Sequence, residues 1–222
     1  MSPKTLQQDL FRYEKEARRR GAGRVCGIDE AGRGPLAGPV VASAVVLPEG
    51  FNHDTLTDSK KLTSRQRESI YEELMSYSGL EWGVGVVDAE EIDRINILQA
   101  TWKAMVKARE ALKNPPDWTL VDGLPVAVLG NRHTAIVKGD ALSLSISAAS
   151  VIAKVVRDRL MRQLDRHYPQ YGFAKHKGYG TRAHMEALTR HGPCPAHRRS
   201  FEPVRRALRP APLAAVQAEL AI

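Results

Sequence analysis

The chain has 222 residues, 43% hydrophobic and 26% charged, which is enough for one large domain with a full core. Thirty-three basic residues against 25 acidic ones give a net charge of +8, a balance that suits a polyanionic partner but also serves plain solubility. Two cysteines, Cys26 in an apolar stretch and Cys194 between prolines, exclude a disulfide framework and a zinc-ligand pair; with no bilayer-length apolar run and no secretory leader, the expectation is a cytoplasmic protein with no membrane association.

Residues 6–20 read as a charged helix with a thin apolar seam at Leu6, Leu10 and Tyr13, expected to pack loosely on the body. Residues 24–29 form the first strand, which delivers Asp29 and Glu30 straight into the turn Gly32-Arg33-Gly34-Pro35. Neighbouring strand residues point to opposite faces, so the two acids are expected to share one pole because the chain leaves the strand between them. Residues 40–47 are β-branched and apolar, a buried second strand stopped by Pro48 and Gly50. After a polar loop containing Lys60 and Lys61, Thr63 caps a helix that runs to about residue 76. Residues 81–87 are a third strand.

Residues 89–113 are expected to be helical, with a stripe at Ile92, Ile95, Leu98, Trp102, Met105 and Ala108, and Asn114-Pro115-Pro116 ends the run. Short strands at 118–123 and 134–140 deliver Asp122 and Asp140 at or just past their ends. A long helix follows over 147–167, then a glycine-rich basic loop over 171–180, then a helix capped by Thr181. The strand and helix order predicts an α/β fold, a mixed sheet with helices on both faces. Three segments are expected: a helical extension over 1–22, the main domain over 23–208, and a flexible Pro- and Ala-rich tail over 209–222.

Strand ends in such a sheet gather at one edge, so Asp29, Glu30, Asp122 and Asp140 are expected to converge. One acid at a strand end is as often a helix cap or a loop anchor, but three such ends in one domain favour a site. Four clustered carboxylates cannot all ionise without cations, and hard oxygen donors select Mg²⁺ or Mn²⁺ rather than zinc. Two such ions about 3.5–4 Å apart serve phosphodiester hydrolysis, one activating a water and the other stabilising the leaving oxygen. A rival reading makes Gly32, Gly34 and Gly38 a nucleotide cradle for a cofactor enzyme. Its spacing departs from the dinucleotide fingerprint, no Gly-Lys-Ser/Thr follows, and the acids would repel a pyrophosphate.

Six motifs occur in order: Gly27-Ile28-Asp29-Glu30-Ala31-Gly32-Arg33-Gly34-Pro35, Asp58-Ser59-Lys60-Lys61-Leu62, Val121-Asp122-Gly123, Lys138-Gly139-Asp140, Ala148-Ala149-Ser150-Val151-Ile152-Ala153-Lys154-Val155-Val156-Arg157-Asp158 and His176-Lys177-Gly178-Tyr179-Gly180-Thr181. Together they resemble bacterial ribonuclease HII, the type 2 ribonuclease H family, over residues 25–201. The resemblance implies a ribonuclease H-like fold, a five-stranded mixed sheet flanked by helices with a helical C-terminal portion. It also implies metal-dependent endonucleolytic cleavage of RNA in RNA–DNA hybrids and at single ribonucleotides in duplex DNA. Carried over by position, the catalytic and metal-binding acids are Asp29, Glu30, Asp122 and Asp140, with Mn²⁺ or Mg²⁺ as cofactor.

The same resemblance places ribonucleotide reading on Gly32, Arg33, Gly34 and Tyr179, which suits the 2′-hydroxyl as the group that separates RNA from DNA. Lys60, Lys61 and Lys177 are the first candidates for phosphate contacts, followed by Lys138, Lys154 and Lys175. Asp158 is expected to form a structural ion pair with Arg157. A non-catalytic hybrid-binding module would keep the basic loop and Tyr179 without needing four acids. The protein is expected to act as a monomer. The tail segment Gln217-Ala218-Glu219-Leu220-Ala221-Ile222 is similar to short peptides that dock on bacterial sliding clamps, with Leu220 and Ile222 as anchors.

Overall fold

Residues 9–53, 56 and 62–208 are described by a computed structural model. In chain order the elements are α1 (Arg12–Arg19), β1 (Val25–Ala31), β2 (Val40–Val46), α2 (Ser64–Ser76), β3 (Glu81–Val87), α3 (Ala89–Glu110), β4 (Trp118–Asp122), β5 (His133–Ile136), α4 (Leu144–His167), α5 (Phe173–His176), α6 (Arg182–His191) and α7 (Glu202–Ala207). The five strands form one sheet in the order β3-β2-β1-β4-β5. β1 runs antiparallel to β2, and β2 to β3, whereas β4 is parallel to both β1 and β5. This is the expected mixed sheet.

Helices cover both faces, which is why β2 is buried at every residue. Val40, Ala42 and Ala44 pack with Cys26 and Ile28 against Ile92, Ala104 and Met105 of α3. Val45 turns the other way, toward Ile70 and Leu74 of α2 and Ala148 and Ile152 of α4. A Cβ on Gly27 would stand 2.3 Å from the Ile146 nitrogen, so the first turn of α4 rests directly on β1. Strand alternation then puts Asp29 on the α4 face and Glu30 on the α3 face.

Four expectations need correction. β1 does not end at Asp29: Glu30 pairs with Ala42 and Ala31 with Val41, because β2 keeps supplying ladder partners. The chain therefore stays in the strand between the two acids. The helix over 89–113 bends at Asn96, which adopts φ 66° and accepts from the backbone nitrogens of Leu98 and Gln99, capping a second segment. That bend rotates Leu98 out of the expected stripe, leaving it exposed. Asp140 sits on a 3₁₀ turn, Gly139–Ala141, rather than on a strand, because Lys138 adopts a left-handed conformation just before it.

The N-terminal helix is not loosely attached. Glu14 of α1 is buried and accepts from the Ser143 hydroxyl at 2.7 Å, the Ser145 hydroxyl at 2.6 Å and the Ser145 backbone nitrogen at 3.1 Å. Its carboxylate thus meets the N-terminus of α4, where the helix dipole favours negative charge. Leu10 and Tyr13 of the expected seam do pack inward, while Leu6 and the tail over 209–222 lie outside the described residues.

Candidate active site

One cleft of about 350 Å³ opens at the C-terminal ends of β1 and β4. It is lined by Asp29, Glu30 and Asp122, by the Gly32–Gly34 turn, and by Arg67, Ser150, Lys154, Arg157 and Tyr179. The pairing of β1 with β4 stops at Ile28 and Val121, and beyond it β1 continues alongside β2. That open flank lets two acids from opposite faces line one cavity.

Asp29 is buried, accepts from the Glu30 backbone nitrogen at 2.7 Å and bonds the side chain of Ser150 on α4. Burial drives its pKa well above the ordinary carboxylate value, and the charges of Glu30 and Asp122 push the same way. Burial also raises Glu30, opposed by Arg33, whose Nη1 donates to Glu30 Oε1 at 3.3 Å. Asp122 accepts from the Gly139 backbone nitrogen at 2.6 Å. That bond ties β4 to the turn carrying Asp140, which is buried and does not line the cleft. Among the described residues no three His, Cys, Asp or Glu side chains stand close enough together to hold a metal as they are placed. The acids of the cleft are nevertheless hard carboxylate oxygen donors whose charges oppose one another, a set that fits a hard divalent cation.

The glycine turn and the segment after it are held by two buried arginines, Arg198, which sequence reasoning did not single out, and Arg157, which it expected only as the partner of Asp158. Arg198 donates to the carbonyls of Gly32 at 2.6 Å, Arg33 at 2.8 Å and Gly38 at 3.0 Å. Arg157 donates to Pro39 at 3.0 Å, Lys177 at 3.1 Å and Ala37 at 3.3 Å. Gly32 adopts φ 97°, and a Cβ there would lie 1.9 Å from Arg157 Nε, so only glycine fits. Burial, with Arg157 beside it, lowers Arg198 to about 9, which still leaves it cationic at neutral pH. Asp158 pairs with Lys154 at 2.7 Å instead of with Arg157, whose guanidinium is committed to the carbonyls. Arginine side chains aimed at carbonyls leave no spacing signal, and that is why these roles were missed.

Tyr179 is half exposed, with its ring against the turn: a Cβ on Gly34 would lie 3.8 Å from Tyr179 Cε1. Lys177 turns inward, its ammonium donating to the Ala174 carbonyl while burial lowers its pKa. It does not line the cleft. Lys60 and Lys61 lie outside the described residues. Of the lysine candidates among the described residues, Lys154 alone lines the cleft, joined there by Arg67, whose Nη2 donates to the Leu62 carbonyl at 2.7 Å. The cleft therefore combines an acidic floor with cationic walls.

The family model described as Ribonuclease HII matches residues 26–204. Ribonuclease HII of Chlamydia trachomatis serovar A is 54% identical over 198 residues, covering 88% of this chain and 90% of that protein. The crystal structure of ribonuclease H2 from Pyrococcus horikoshii superposes with a TM-score of 0.71 at 30% identity, over 83% of this chain and 96% of that one. The Archaeoglobus fulgidus RNase HII solved in a complex with PCNA gives a TM-score of 0.67 at 27% identity, over 86% and 99% of the two chains.

Proposed function

The chain belongs to the ribonuclease HII family, and from that membership we propose how its cleft selects and cuts a ribonucleotide. The enzyme is a divalent-metal-dependent endoribonuclease acting on RNA in RNA–DNA hybrids. Incision at single ribonucleotides within duplex DNA is part of the proposal, as is the assignment of Asp29, Glu30, Asp122 and Asp140 as metal ligands, with Mg²⁺ or Mn²⁺ as the ion. The observation that carries this reading is the cleft itself, where three of the four acids share one wall with the Gly32–Gly34 turn and Tyr179.

A bound divalent cation would supply charge neutralisation and activation of a water against the phosphodiester. The chain's own residues do the rest. The backbone of Gly32–Gly34 meets the ribose without side-chain obstruction, and Tyr179 flanks the same nucleotide, so a 2′-hydroxyl gains partners that a deoxyribose lacks. Lys154, Arg67 and Arg33 line the cleft with the acids and take the phosphate backbone. Ser150 and the Gly139 nitrogen hold Asp29 and Asp122 in place.

The proposal extends to a monomeric protein, and to a cytoplasmic setting that two free, buried cysteines support. No helix among the described residues is long and apolar enough to cross a membrane. A clamp-type partner is supported by the archaeal relative solved with PCNA, and its docking through residues 217–222 is part of the proposal. To test ribose reading, Tyr179→Ala is compared with the unaltered enzyme on a duplex bearing one ribonucleotide. The expected result is weaker cleavage there with affinity for all-DNA duplex retained. Equal losses on both duplexes would reduce Tyr179 to a general duplex contact.

A further inference from the structure

Tyr179 and the Gly32–Gly34 turn come from distant parts of the chain, and no secondary-structure ladder joins them. The Leu36 nitrogen donates to the Gly178 carbonyl at 2.8 Å and Arg157 donates to the carbonyls of both Ala37 and Lys177, and a second tie between them runs through the short segment from Cys194 to Arg198. His197 bridges to Ala37 in an antiparallel pair, the Gly38 nitrogen donates to the Ala196 carbonyl at 2.8 Å, and the Arg198 nitrogen donates to the Leu36 carbonyl at 2.9 Å. Arg198 then clasps Gly32 and Arg33 from below. On its other side, His197 Nε2 stands 3.0 Å from His184 Nε2, and His184 Nδ1 stands 2.9 Å from the Tyr179 carbonyl. His184, His197 and Arg198 are all fully buried.

The hydrogen-bond directions are fixed by the ends of this chain of bonds. A carbonyl only accepts, so His184 Nδ1 carries a proton and donates it to Tyr179. The Cys194 backbone nitrogen only donates, at 3.1 Å, so His197 Nδ1 accepts and its Nε2 carries the proton. His197 Nε2–H therefore donates to His184 Nε2, and the two neutral rings form one directed link from Cys194 to Tyr179. Any proton added on His184 Nε2 would face the His197 proton head on. Burial keeps both rings neutral, holding His197 down to about 4 and His184 below its ordinary value.

We propose that His184, His197 and Arg198 form a positioning brace that acts beside the direct Leu36–Gly178 bond and the Arg157 clamp to hold the separation between Tyr179 and the Gly32–Gly34 turn, and thereby sharpens the enzyme's discrimination between ribose and deoxyribose. None of the three is a catalytic residue; each acts through the backbone of the groups taken to read the sugar. The inference rests on that ribose-reading role. A gap set by a buried link is narrower in its fluctuations than one set by an exposed loop, and selection for a single hydroxyl depends on that precision.

The test measures affinity for two duplexes of one sequence, one all-DNA and one with a single ribonucleotide, with Ca²⁺ replacing the catalytic metal and cleavage monitored alongside. The readout is the ratio of the two dissociation constants. His184→Asn keeps a donor near the Tyr179 carbonyl but cannot reach His197, and Arg198→Lys keeps the charge but cannot clasp three carbonyls. Each is expected to lower the ratio about tenfold, the worth of one hydrogen-bonded contact, with all-DNA affinity within about twofold of the parent. His197→Gln, which retains a donor toward His184, is expected to restore most of the ratio relative to His197→Ala. The two ends of the brace are altered independently, so failure of one variant to fold leaves the other decisive. An unchanged ratio in a folded His184→Asn or Arg198→Lys, while Tyr179→Ala collapses it, overturns the brace alone. An unchanged ratio in Tyr179→Ala overturns the ribose-reading role and the brace with it.

Discussion

At the scale of single residues, the chemistry turns on what burial does to adjacent acids. Asp29 and Glu30 hold their protons more tightly than free carboxylates because they are buried, and Asp122 raises both further. Removing one charge by Asp29→Asn, Glu30→Gln, Asp122→Asn or Asp140→Asn is expected to lower kcat by orders of magnitude, since metal-borne charge stabilisation acts mainly in the transition state. Metal-free thermal stability should stay level or rise at Asp29, Glu30 and Asp122, where repulsion is relieved. Near-normal turnover in any variant under saturating Mg²⁺ removes that residue from the site. The raised pKa values also fix a pH dependence. Where the folded pKa lies above the free one, the unfolded chain releases its proton first, so this contribution to stability falls as pH rises above the free carboxylate range. A divalent cation takes the proton's place, so Mn²⁺ should raise Tm more at about pH 8 than at about pH 5.5. Taking the difference with and without metal cancels the opposite trend of His184 and His197, which cost stability as pH falls below 6.5. A metal-induced shift independent of pH would contradict the carboxylate assignment.

At the scale of elements, α1 shows how much a single polar residue contributes to docking. Glu14→Ala leaves the Ser143 and Ser145 hydroxyls without their acceptor at the start of α4, and is expected to cost about 2–3 kcal/mol of stability. Denaturant melting checks this, and an unchanged midpoint would show that the Glu14 bonds contribute nothing to the docking of α1. The sequence made the strands legible where β-branched runs end in turn residues: residues 81–87 were read with the observed bounds, and 40–47 to within one residue. Helix caps were equally readable. Thr63 and Thr181 each accept from the backbone as expected, Thr63 in a reciprocal box with Gln66. What escaped reading depended on partners distant in the chain. The bend at Asn96 looks like ordinary helix until its side chain finds the next turn's nitrogens, and Glu14 looks like one more surface charge until Ser143 arrives. Asp29, Glu30 and Asp122 were legible because their strand-end positions and motifs are local. Arg157 and Arg198 were not, because their role is to satisfy carbonyls that tertiary folding alone brings near.

At the scale of the whole molecule, the cleft is a junction. β1 and β4 supply acids from the sheet, α4 supplies Ser150, Lys154 and Arg157, α2 supplies Arg67, and the loop between α5 and α6 supplies Tyr179. The net charge of +8 and the cationic walls of the cleft draw a duplex in, while the acids deny the phosphate a resting place unless a cation is bound. On the proposed assignment, substrate choice and metal dependence are one property of one site. The most direct measurement is cleavage of an end-labelled duplex containing a single ribonucleotide, beside an all-DNA duplex of the same sequence, in Mg²⁺ or Mn²⁺ and again with EDTA. The account predicts one cut, at the ribonucleotide, only with metal, and none in the all-DNA strand. Cleavage that persists in EDTA, or that occurs equally without the ribonucleotide, would contradict it.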